Sequence, residues 1–229
     1  VRRRPCGGGG KDLELWIMWR GLILICCLVA APMARAHPHV FVNVTLTLET
    51  DAEGRVDAIE VTWVYDPLFT MLVLSDRGLD PDADLVLTEE EKALLLGFDL
   101  EDWPEGFDGA LFAHDAEGAL ELGPAEALSV GMRDGALVTR HRRPVEALEL
   151  DPGEMLRLEP YDPYYYASLS LVGVEGLPEG CTARIVPPDT DAADARVDEM
   201  GNSDDEMFFE EAKVGVHYAF AAEVTCAGS

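Results

Sequence analysis

The chain has 229 residues, 48% of them hydrophobic, which is enough apolar material for one domain with a buried core. Lys and Arg number 17 against 44 Asp and Glu, for a net charge of −27. A surface of that sign repels nucleic acid and anionic membranes and attracts cations, so a nucleic-acid partner is excluded.

The first 36 residues read as a leader and signal peptide. Met18 is the expected start: Met18-Trp19-Arg20 is a basic opening, Leu22 to Val29 an apolar run, and Ala34-Arg35-Ala36 an A-x-A cleavage site. The apolar run is too short to span a bilayer, so the processed protein is not itself membrane-spanning. Its expected location is the periplasm. Without residues 1–36 the remainder holds 11 basic and 42 acidic residues, net −31. Residues 37–229 are expected to form a single exported domain.

Cleavage after Ala36 leaves His37 first, with His39 two residues on. A free α-amine, its own imidazole and a second imidazole are three nitrogen donors on a short tether. Zinc is the first candidate for such a set, with nickel, cobalt and copper behind it. Pro38 removes the backbone N–H between the two histidines and so blocks an amide-nitrogen chelate. The competing reading is a pair of solvated terminal residues.

Residues 39–49 alternate, with Val40, Val42, Val44, Leu46 and Leu48 on one face. After the turn at Asp51-Ala52-Glu53-Gly54, residues 55–65 make a second strand, so 38–65 is a hairpin. Pro67 suits the first turn of a helix. Thr88 is a good N-cap, with Glu91 at the capping-box position, and predicts a helix from about Glu89 toward Gly97. Between these helices lies Asp80-Pro81-Asp82-Ala83-Asp84, followed by Glu91. This places oxygen donors at positions 1, 3, 5 and 12 of an EF-hand loop, the pattern of a calcium site. Leu85 stands at position 6, where glycine normally turns the chain, at a steric cost of roughly 1–2 kcal/mol. The competing reading is an acidic approach to a helix N-terminus.

Residues 110–112, 119–122, 127–132, 136–141, 155–158, 165–172 and 181–186 are short apolar runs between Gly, Asp and Pro breaks. The spacing predicts an antiparallel sheet or sandwich rather than alternating βα units. Residues 189–212 are polar and acidic, helical or mobile, and 214–226 reads as a last strand. The fold class is therefore α+β, mainly β, with a helical EF-hand-like insertion near residues 67–97.

Cys6, Cys26 and Cys27 would leave with the leader. Cys181 and Cys226 remain, and in an oxidising compartment they are expected to form a disulfide, with two buried thiols as the alternative. That closure contributes on the order of 4–5 kcal/mol in the chain-entropy model.

Two Tyr-Asp-Pro units, at 65–67 and 161–163, offer Asp66 and Asp162. Either carboxylate can complete a metal shell or orient a histidine ring from behind it. They can equally be turn residues beside core aromatics. His217 reads as a core residue of the last strand, and His114 and His141 as surface residues. No nucleophile elbow, P-loop, dinucleotide fingerprint or HExxH is present, so the expectation is a non-catalytic protein. A copper-dependent redox enzyme built on the N-terminal histidine is the remaining enzymatic reading.

Together, His37-Pro38-His39-Val40-Phe41-Val42, the hairpin ending Trp63-Val64-Tyr65-Asp66, the acidic loop, Tyr161-Asp162-Pro163-Tyr164-Tyr165 and Gly180-Cys181 resemble the domain-of-unknown-function family DUF1007. The resemblance covers nearly all of residues 37–226. It implies a periplasmic accessory of transition-metal transport, since members are described as periplasmic components of uncharacterised transport systems. The implied partner is an inner-membrane metal permease, often of nickel/cobalt efflux type, or an ABC-type transporter. The alternative is an interaction module docked on an envelope permease, with the acidic loop a calcium-dependent stabiliser.

Overall fold

A computed structural model describes residues 38–101, 109–201 and 206–227. The expected leader, the expected cleavage site and His37 lie outside the described residues.

Two five-stranded sheets stack into a sandwich. The first contains β1 (Val40–Thr50), β2 (Val56–Tyr65), β5 (Glu126–Arg133), β6 (Ala136–Leu148) and β8 (Ala167–Glu175), in the order β5-β6-β2-β1-β8. The second contains β3 (Leu111–His114), β4 (Ala119–Leu120), β7 (Met155–Pro160), β9 (Cys181–Val186) and β10 (Ala221–Cys226), in the order β4-β3-β7-β10-β9. The alternation in β1 sends Val40, Val42, Val44, Leu46 and Leu48 inward, all at most 5% exposed. They share one core with Leu156 and Leu158 of β7 and Ala222 and Val224 of β10. The predicted hairpin is present, with Val42 opposite Tyr65 and Leu48 opposite Ile59.

The sheets are not wholly antiparallel. β8 lies parallel to β1, with Val40 opposite Ala167 and Val44 opposite Leu171. A parallel neighbour cannot arrive by a hairpin, and here it returns from more than a hundred residues away.

Helix α1 (Pro67–Asp76) starts as its sequence requires: Asp66 caps it, accepting from the N–H groups of Leu68 and Phe69, and Pro67 occupies its first turn. Helix α2 (Glu89–Leu95) carries the expected capping box between Thr88 and Glu91. Residues 189–212 contain α3 (Thr190–Met200) and α4 (Glu206–Ala212). Residues 214–226 are not one strand: Val214–Tyr218 is a 3-10 helix and β10 begins only at Ala221. Lys213 enters that turn at φ 49°, the left-handed region, which ends any extended run. His217 is consequently half-buried on a turn rather than in the sheet core.

Cys181 and Cys226 form the expected disulfide, and they are also opposite each other in the β9–β10 ladder.

Candidate functional site

Three segments singled out separately along the chain meet at one end of the first sheet. The start of β1 is the centre. On one side the Phe41 N–H donates to Asp66 Oδ2 at 3.0 Å, and the Asp66 N–H returns to the Phe41 carbonyl at 2.9 Å. On the other side the His39 N–H donates to the Tyr166 carbonyl at 2.8 Å, and the two rings stand 4.9 Å apart. Asp162 ties this second flank down, accepting from the Tyr164 N–H through Oδ1 and the Ala167 N–H through Oδ2, each at 2.9 Å. The His-Pro-His motif therefore leads into a strand clamped between the two Tyr-Asp-Pro units.

The carboxylates bear on metal binding as follows. Asp66 Oδ1 accepts two backbone N–H bonds at 2.8 and 2.9 Å, and Oδ2 accepts the third. Asp162 is 8% exposed, with both oxygens engaged. A carboxylate has about four lone-pair sites, so each of these groups retains some capacity, but both are primarily locking the backbone of the site. His39 is exposed at its edge.

Among the described residues, Asp80, Asp82 and Asp84 are the group whose ligand atoms converge, all within 4.8 Å of one another. Asp80 is buried and organises the loop: its Oδ1 accepts from the Asp84 N–H at 3.0 Å and its Oδ2 from the Leu85 N–H at 3.2 Å. Leu85 adopts φ 59°, the left-handed turn that its position demands of a residue that is not glycine. Glu91 stands outside the aspartate group. Its Oε1 accepts from the Asp80 N–H at 2.7 Å, and its Oε2 from the N–H and hydroxyl of Thr88. These bonds, the Thr88 N–H first, hold the Glu91 carboxyl below its ordinary pKa. Leu87 is 4% exposed and roots the loop in the core.

Beneath the clamped strand start lies a cavity of about 340 Å³. Val40 and Val42 of β1, Trp63 and Tyr65 of β2, and Tyr164 and Tyr166 of the third segment all contribute to its wall. Phe69, Phe98 and Asp99 line its helical side. Asp99 was not apparent in the sequence, where it follows a short helix with no motif around it. In the fold its Oδ2 accepts from the Tyr65 hydroxyl at 2.9 Å and the Thr139 hydroxyl at 2.5 Å. Burial pushes its pKa up, against these two hydrogen bonds. The same burial, with the neighbouring Asp99 charge, drives the Tyr65 hydroxyl well above its usual value.

His141 is the second residue the sequence misplaced. It is 1% exposed on the inner face of β6, not at the surface. Among the described residues neither ring nitrogen has a hydrogen-bond partner, and the ring meets Trp63 edge-on at 4.8 Å. Burial lowers its pKa to about 4, with a smaller push from the Arg143 charge. The Trp63 Nε1 is likewise buried without a partner. A usable signal was present: Leu137, Thr139, His141 and Arg143 alternate in register with a buried leucine. His114 is partly exposed, as expected, 3.7 Å from Glu159.

No curated protein matches the chain. Residues 22–227 match the family described as "Protein of unknown function (DUF1007)". With nearly the whole length matched, the chain belongs to the DUF1007 family.

Proposed function

We propose that the protein is a non-catalytic, periplasmic metal-binding accessory of a divalent transition-metal transport system, working beside an inner-membrane permease or ABC-type transporter. One observation supports it: the residues just after the expected cleavage site are clamped between Asp66 and the 162–167 turn, so the histidine-bearing terminus is delivered to a fixed place. His37, through its amine and ring, and His39 would hold zinc, nickel, cobalt or copper. Asp66 and Asp162 would add charge and fix the backbone around them. Such nitrogen-rich donors suit those ions better than calcium or magnesium. The transport setting comes from the motifs shared with the family, not from the geometry.

Isothermal titration of protein beginning at His37, against a form with one extra residue before it, tests the reading. The extended form is expected to bind zinc, nickel or copper at least about tenfold more weakly, the loss of one strong nitrogen donor. Equal affinities would remove the amine ligand from the proposal.

A second reading is favoured by the convergence of Asp80, Asp82 and Asp84 around a turn already in left-handed geometry at Leu85. Here the acidic loop takes calcium and stiffens a module whose task is to dock on the transporter. The donors are hard carboxylate oxygens and fit calcium by type, while Glu91 would have to release at least one of its present hydrogen bonds to complete the shell. Calcium that leaves the melting temperature unchanged, with or without Asp80→Asn, would dispose of this reading.

A further inference from the structure

The cavity under the strand start has a chemistry that the metal readings do not use. Its volume of about 340 Å³ lies at the small end of ligand pockets. Among the described residues six aromatic rings line it: Trp63, Tyr65, Phe69, Phe98, Tyr164 and Tyr166. Three of them gather round Tyr65, with centroids 5.0 Å away for Phe69, 6.0 Å for Phe98 and 6.2 Å for Trp63. The wall is therefore aromatic over a continuous stretch and not at scattered points.

The charged residues in the described lining are both acidic, Asp99 and Asp162. That pairing decides between ligand classes. An anion would meet two carboxyl groups and the negative faces of the rings. A neutral apolar molecule would gain from burial alone. A cation gains from burial, from the ring quadrupoles and from the carboxyl groups together. The chain's net charge of −27 also raises the local concentration of cations. An inorganic ion keeps too tight a water shell for so apolar a wall, whereas an ammonium carrying methyl or methylene groups does not.

We propose that this cavity binds a compact organic ammonium ion, held against the rings around Tyr65 with Asp99 and Asp162 supplying the opposite charge. None of the aspartates at 80–84 lines the cavity; Asp162 is shared with the transition-metal reading, but the ligand needs no metal and Asp99, the other counter-charge, belongs to neither metal reading.

The test is isothermal titration of chelator-treated protein beginning at His37 with choline and tetramethylammonium, each against 3,3-dimethylbutan-1-ol, the uncharged isostere of choline. Choline is expected to bind about tenfold or more tighter than the isostere, as a desolvated cation–π site with a carboxylate requires. Asp99→Asn should remove most of that advantage while leaving the isostere's binding in place. Ala167→Met, which adds bulk to the lining, should weaken both ligands and keeps the test decisive if Asp99→Asn fails to fold. Equal or tighter binding of the isostere would make the cavity a plain hydrophobic pocket and overturn the proposal. Absence of binding by all three probes to folded protein would overturn it as well. Zinc titration of the same sample reports separately on the histidine terminus, so the two proposals fail independently.

Discussion

The Asp162 carbonyl oxygen lies 1.8 Å from the point where a β-carbon on residue 215 would sit. Gly215 also donates its N–H to the Pro163 carbonyl at 3.0 Å. The 3-10 turn before β10 therefore presses, backbone to backbone, on the segment whose Asp162 side chain anchors the start of β8. Only a residue without a side chain permits that approach.

Gly215→Ala consequently forces either the turn or the Asp162 segment to move. The obstacle is main chain and not a flexible side chain, so the cost belongs at the upper end of the range for overpacking, about 3 kcal/mol. A circular-dichroism melt should fall by roughly 6–12 °C for a domain of this size. On the proposed transition-metal reading, affinity at His37 and His39 should fall with it, since the displaced segment is the one that pairs with His39. An unchanged melt would show that the segment is slack.

His141 makes stability depend on pH. It is buried as a neutral ring, its folded pKa is about 4, and its ordinary value is 6.5. Above pH 6.5 neither the folded nor the unfolded ring holds an extra proton, and the contribution is fully present. As pH falls below 6.5 the unfolded chain takes up a proton that the folded chain refuses. Stability is then lost down to about pH 4, by a total on the order of 3 kcal/mol. Asp99 acts in the opposite sense over the carboxyl range, because burial raises its pKa and favours its protonated form in the fold. Comparing wild type with His141→Phe separates the two. Urea midpoints at pH 7 and pH 4.5 should converge in the variant, and the apolar ring should be tolerated at pH 7 because no hydrogen bond is removed. A variant that keeps the full acid loss would assign the effect elsewhere.

Leu85→Gly relieves a side chain held at φ 59°. The gain from strain, about 1–2 kcal/mol, is partly offset by the greater freedom of glycine in the unfolded chain and by loss of the leucine's packing near Gly135. The net expectation is a gain of about 0.5–1 kcal/mol, read as a small rise in melting temperature. If calcium occupies the Asp80–Glu91 loop, its affinity should rise together with stability. A drop in stability would mean that Leu85 packing outweighs the turn.

How much of this was legible in the sequence depends on the range of the interaction. The valines and leucines of β1, the Thr88–Glu91 box and the Cys181–Cys226 bridge rest on local spacing or on counting, and all three are present. The parallel pairing of Val40 with Ala167 has no local signature, because nothing near either residue encodes a partner so distant in the chain. Val214 and Val216 mimic a strand by their period of two, yet Gly215 between them is required by contact with Asp162, which no window of sequence contains. The motif residues could be named from the chain, but their meeting at one end of a sheet could not. Asp99 became visible only once Tyr65 and Thr139, 34 and 40 residues away from it, were placed around its carboxyl group.

The first strand of the sandwich is an interior strand, flanked by β2 and by β8. A chain synthesised from its amino end exposes that valine-rich ribbon first and completes its second flank only after residue 175 has emerged. Throughout that interval one ladder of amides and carbonyls stays open, the kind of edge that invites pairing with a stranger. Until that flank is in place, the leading end of the domain, which carries His37 and His39, is the part most in need of shelter.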